Sequence, residues 1–130
     1  MFETILSNSD LFALCRATCE ENEARIAFDD KLIEDNYIVL KIDAYYSSSR
    51  IHNPLPAIDC LIIVKCETND CYDFYLVELR DIKSSKGFEI EKIKQKFATT
   101  INDFLNDKFK AIFEAYCINE TQLKAQVRWW

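Results

Sequence analysis

Glycine is nearly missing: Gly87 is the single one in 130 residues, where about 7% is usual. A chain without glycine pairs cannot build the GxGxxG or Walker loops that let backbone approach a phosphate chain, so kinases, NTPases and dinucleotide enzymes of those types are excluded. Histidine is as scarce, with His52 the only one. No four-ligand zinc set with recognisable spacing can be assembled around it, even if Cys15 and Cys19 lie one helical turn apart. Cys-His nucleophilic catalysis would also need His52, which sits beside Pro54 with nothing to bring a thiol to it. Basic charge is in deficit, 16 lysines and arginines against 22 acidic side chains for a net −6, which excludes a globally basic nucleic-acid coat. No apolar run approaches the roughly 18 to 20 residues that span a bilayer. Met1 to Ser9 also lacks the basic start and apolar block of a secretory signal. The expectation is a cytoplasmic protein.

What remains is ample material for one core. Hydrophobic residues make up 49% and aromatic residues 13% of the chain, far from a disordered composition, and the length is that of a single domain spanning residues 1–130. The six cysteines, at positions 15, 19, 60, 66, 71 and 117, are read as reduced thiols in such a compartment, with Cys60 buried in an apolar run.

Hydrophobic period changes along the chain and divides it into elements. From Asp10 to Asn22, Leu11, Leu14, Cys15, Thr18 and Cys19 recur at helical spacing behind a Ser9 or Asp10 cap, which predicts a first helix. Residues 25–35 are left open between a short strand and a turn. Tyr37 to Ser47 is rich in β-branched and aromatic residues and reads as a strand; residues 47–56 are a loop. Ile58 to Cys66 is a near-continuous apolar run of the kind buried on both faces. Glu67 to Asp70 supplies turn residues, and Tyr72 to Arg80 completes an antiparallel hairpin. Ile90, Ile93, Phe97, Ile101 and Phe104 then mark an amphipathic helix over about 89–107. Alternation from Leu123 to Trp129 suggests a closing strand, with Trp129 inward and Trp130 outward or at a dimer contact. The fold class expected is α/β, a central mixed sheet flanked by helices, in the order α-β-β-β-α-β.

Asp59 opens the second strand and Glu78 lies near the end of the third, two residues before Arg80 on the same face. A hairpin between these strands brings the two carboxylates to one end of the sheet. Paired carboxylates beside a cation suit magnesium or manganese, which prefer oxygen donors and keep several waters. Glu78 follows Tyr75-Leu76-Val77 and precedes Leu79, so a carboxylate there needs a partner.

With Pro56-Ala57-Ile58-Asp59 followed by Val77-Glu78-Leu79-Arg80, and with this order of elements, the chain resembles the PD-(D/E)XK nuclease superfamily of restriction endonucleases and junction resolvases. The resemblance implies a restriction endonuclease-like core in which Asp59 and Glu78 hold magnesium and Arg80 stands where the family usually has lysine. Two residues separate Pro56 from Asp59, where the family has them adjacent. Arginine stays protonated, so it clamps phosphate or offsets charge and does not take a proton from water. Lys83, in the following loop, and Lys65, sharing the strand parity of Asp59, are candidates to supply an amine. Glu20, Glu21 and Glu23 are candidates for the further acidic residue that the family often adds from its first helix.

Charge changes sign after Glu78: from Leu79 to Phe97 there are six basic side chains against three acidic. Lys83 and Lys86 are the expected contacts to a nucleic-acid backbone, while Lys92, Lys94 and Lys96 are read as solvating the outer face of their helix. The expected function is metal-dependent hydrolysis of nucleic-acid phosphodiesters, DNA foremost, by a homodimer whose two sites cut two strands. The alternative is a non-catalytic acidic interaction protein of immunity or antitoxin type on a degraded nuclease-like core.

Overall fold

The computed structural model describes residues 1–21, 24–26, 28, 34–48, 55–65, 72–80, 90–114 and 124–129. They form a mixed α/β fold around a five-stranded sheet in the order β1 (Cys15–Arg16), β4 (Tyr37–Lys41), β5 (Cys60–Lys65), β6 (Tyr72–Arg80) and β7 (Lys124–Trp129). The chain opens with two short helices, α1 (Phe2–Ser7) and α2 (Ser9–Leu14), and Asn8 caps the second by accepting the Leu11 N–H at 3.1 Å. The expected single helix from Asp10 to Asn22 is therefore corrected in both directions. Residues 2–7 are already helical, and the helix stops at Leu14 because Cys15–Arg16 (β1) pairs with the edge of the sheet, Cys15 opposite Leu40. Cys19 lies beyond this strand, so its helical spacing from Cys15 has no helix beneath it.

A small antiparallel hairpin follows, β2 (Glu20–Glu21) with β3 (Ala24–Arg25), and a short 3-10 turn over Glu34–Asn36 leads into β4 (Tyr37–Lys41). The strand expected to reach Ser47 ends at Lys41. Its second half is a helix, α3 (Ile42–Tyr46), with Ile42 and Tyr46 both buried four residues apart. Tyrosines favour strands only where a pleated surface receives them. Here Tyr45 and Tyr46 instead meet Phe104 edge-on or tilted, and Tyr46 donates to Asp103 at 2.6 Å.

β5 (Cys60–Lys65) and β6 (Tyr72–Arg80) form the expected antiparallel pair, and β4 pairs with β5 on the other side. Alternation sorts their side chains onto two faces. Leu40, Leu61, Ile63, Phe74 and Leu76 join Ile5, Leu11, Leu14 and the later helices in one core; Val39, Cys60, Ile62, Val77 and Leu79 form a second with Cys19. Both faces of β5 are buried, as its unbroken apolar run implies.

The amphipathic segment forms a long helix, α4 (Ile90–Ala98), continued as a π-helical stretch over Thr99–Lys108; after a break at Phe109 comes the single turn α5 (Lys110–Phe113). Phe109 donates its N–H to the Phe104 carbonyl, five residues back, at 3.0 Å. The wider turns bring Thr100, Phe104 and Leu105 all inward. β7 (Lys124–Trp129) then returns parallel to β6; a parallel neighbour cannot be reached by a tight turn and needs a long connection such as the one that carries the helices. The side chains of Trp129 and Trp130 lie outside the described residues.

Candidate active site

Register builds the site. Cys60 lies opposite Val77 in the β5/β6 pair, so the next step toward the end of the sheet sets Asp59 across from Glu78. Both residues lie at one end of the hairpin, and both are buried, Asp59 at 5% exposure and Glu78 at 1%. Asp59 is fixed by backbone: its Oδ2 accepts the Leu79 N–H at 2.7 Å, and its own carbonyl accepts the Ile42 N–H at 3.0 Å. Strand β6 thus holds one carboxylate through its side chain and the other through a main-chain amide.

Each carboxylate faces a lysine, and neither lysine is one the sequence suggested. Lys96 Nζ donates to Glu78 Oε1 at 2.7 Å, with only 23% of the lysine side chain exposed. The reading of Lys96 as solvating an outer helix face is corrected. It follows the buried Ile93 by three residues and precedes the buried Thr100 by four, so it lies on the inward stripe of α4. That spacing was the available signal; charge overrode it. Lys41, at the end of β4, has its ammonium 3.8 Å from Asp59 Oδ1, 3.2 Å from Asp43 Oδ2 and 3.5 Å from the Glu20 carbonyl. Its signal was the strand alternation Val39, Lys41 toward the smaller core. With a lysine on each carboxylate, the two acids do not face one another as unrelieved like charges.

The other candidates fall elsewhere. Lys65 pairs with Tyr72 at the opposite end of the hairpin, six residues and therefore about 20 Å from Asp59, so strand parity does not bring it to the site. Arg80 continues β6 opposite Trp129, with its side chain outside the described residues, as are Lys83, Lys86, Glu23, His52 and Pro54. Glu20 and Glu21 lie on the β2 hairpin instead of a first helix. The exposed Glu20 carboxylate turns to Thr18 Oγ1 at 2.8 Å and Arg25 at 3.7 Å. A groove of about 210 Å³ beside Lys41 is lined by Arg16, Ala17, Thr18, Glu20 and Lys41.

The cysteines correct a further expectation. Cys19 and Cys60 are joined in a disulfide, with Cα atoms 6.1 Å apart, so these two are not reduced thiols. The bridge attaches the segment before β2 to the strand residue next to Asp59. Cys19 is therefore not available to pair with Cys15 on a metal. Cys15 is a free thiol; burial pushes its ionisation upward, opposed by the charge of Arg16. Among the described residues no helix is long and apolar enough to cross a membrane.

As donors, two buried carboxylates suit a hard cation of the magnesium class, which uses one or two carboxylates and completes its shell with water. No group of three or more His, Cys, Asp or Glu side chains is placed for a metal among the described residues. Comparison of the chain with protein-family models, with curated proteins and with solved structures finds no match.

Proposed function

We propose that this protein is a metal-dependent nuclease that hydrolyses nucleic-acid phosphodiester bonds, DNA foremost, on a restriction endonuclease-like core. The observation that carries the reading is the placement of Asp59 and Glu78 on neighbouring strands at one end of the sheet, both buried. Further support is the β4-β5-β6 meander followed by a helix and the parallel β7. That order is the one the resemblance implies.

Asp59 and Glu78 would hold magnesium or manganese, and the bound cation supplies an acidified water and a counter-charge for phosphate. The chain's own residues do the rest. The Leu79 amide keeps Asp59 in one orientation, so the carboxylate presents its other oxygen without loss of rotamer freedom on binding. Arg80, always charged, would offset the negative charge of a phosphate. Lys83 and Lys86 hold the flanking backbone. Two copies related by a two-fold axis present two such sites to a duplex.

The test is cleavage of duplex, branched and single-stranded substrates with magnesium, with manganese and with chelator. Asp59→Asn and Glu78→Gln, which keep shape and hydrogen bonding, are expected to abolish metal-dependent cleavage while circular dichroism stays unchanged. Arg80→Lys is expected to keep or raise it. The lysine on each carboxylate favours a second reading, a non-catalytic acidic binder in which the pairs serve only the fold. No cleavage of any substrate, together with no response of the protein to metal, establishes that second reading.

A further inference from the structure

Lys96 is placed from two sides. Its carbonyl accepts Thr100 Oγ1 at 3.0 Å, and its ammonium reaches Glu78 Oε1 at 2.7 Å. Thr100 is fully buried, in the first turn of the π-helical stretch, so α4 delivers the Lys96 side chain to the carboxylate instead of leaving it to solvent. The corresponding contact at Asp59 is looser, 3.8 Å, and Lys41 divides its charge between Asp59 and Asp43. Lys96 thus meets Glu78 more closely than Lys41 meets Asp59.

An ammonium and a divalent cation on one carboxylate repel one another whether they share an oxygen or take one each. A metal that takes Glu78 does so against the charge of Lys96 at Oε1. We infer that Lys96 is a built-in counterion of the site: it neutralises Glu78 in the metal-free protein and competes with the divalent cation for that carboxylate. The inference rests on the metal-dependent reading above and adds to it a residue that sets metal affinity. Lys96 acts on the site through Glu78 and is a positioning residue in that sense.

Isothermal titration of manganese into chelator-stripped protein tests it, with the parent, Lys96→Gln, Lys96→Arg and Glu78→Gln compared. Lys96→Gln keeps a hydrogen-bond donor for Oε1 and removes the charge, and is expected to bind manganese at least tenfold more tightly than the parent. Lys96→Arg, which keeps the cation, is expected to stay within a few fold of the parent. Glu78→Gln is expected to lose the binding. If Lys96→Gln is unfolded in chelator, its recovery on adding manganese, followed by circular dichroism, replaces the titration, and failure to recover overturns the inference. Parent binding that depends on Glu78 but is no weaker than that of Lys96→Gln also overturns it, while leaving the nuclease reading intact. Binding by Lys96→Gln alone upholds the inference and removes the nuclease reading for the parent. No binding by either, or binding that Glu78→Gln retains, overturns both.

Discussion

On the helical side of the sheet, sixteen of the described buried residues form one cluster, filled by Phe74, Phe104, Phe109, Phe113 and a set of leucines and isoleucines. On the other side the described cluster holds six, and two of those are the bridged Cys19 and Cys60. The strands contribute comparable side chains to both by alternation, so the difference lies in what covers them. Helices bring whole apolar stripes to the first face, whereas a two-stranded hairpin with Ile26 and Phe28 partly covers the second. Burying less area stabilises less, at about 25 cal/mol per Å², and a small core is where a covalent link matters most. Among the described residues, packing alone joins the larger cluster, whereas a covalent bond crosses the smaller one.

The largest expected effect breaks that bond. The bridge closes a separation of 41 residues, for which chain entropy in the unfolded state amounts to about 4 kcal/mol. Urea denaturation of the Cys19→Ala/Cys60→Ala variant is expected to show a loss of that order. A loss below about 1 kcal/mol would mean that the small core holds by contacts alone.

Adjacent residues of one strand sharpen the comparison next. Ile63 faces the helical core and is fully buried; Ile62 faces the small core at 5% exposure. In the 2 to 5 kcal/mol range for such truncations, Ile63→Ala is expected to cost about 4 kcal/mol and Ile62→Ala about 2, since a thin cover collapses onto the gap more readily. Equal losses would show the two faces to be packed alike.

At the edge between the layers, Lys96→Met is expected to cost about 2 kcal/mol, because Glu78 stays buried while losing a charged partner. Thermal denaturation in chelator measures it. A variant as stable as the parent would show that the ion pair contributes nothing net to the fold.

The smallest effect is one of pH. Burial first, and then the hydrogen bond and charge of Asp103, push the Tyr46 hydroxyl above the ordinary tyrosine range. The folded state therefore keeps its proton where the unfolded chain releases it. That contribution is intact below the unfolded value of about 10 and is lost as pH rises beyond it, by about 1.4 kcal/mol per pH unit. Urea midpoints between about pH 9 and 11 should fall less steeply for Tyr46→Phe than for the parent. Identical slopes would remove Tyr46 as the source.

Local pattern by itself determined the hairpin over residues 60–65 and 72–80, the amphipathic helix from residue 90, the closing strand and the position of Asp59 and Glu78 at the same end of the hairpin. Each rests on a short-range period or on a hairpin register, and both are properties of neighbouring residues. Tertiary structure decided the rest. The apolar spacing of Leu11, Leu14 and Cys19 fits a helix as well as it fits a helix followed by an edge strand, and the pairing of Cys15 with Leu40 selects the second. Tyr45 and Tyr46 carry strand propensity, but the rings of Phe104 and Phe109 and the carboxylate of Asp103 gather them into a helix. Lys96 reads as a solvated charge, and Lys41 carries no assigned role, until a buried carboxylate from another element stands beside each. Cys19 and Cys60 lie 41 residues apart, a distance over which no local period acts; only the folded sheet sets their sulfur atoms together.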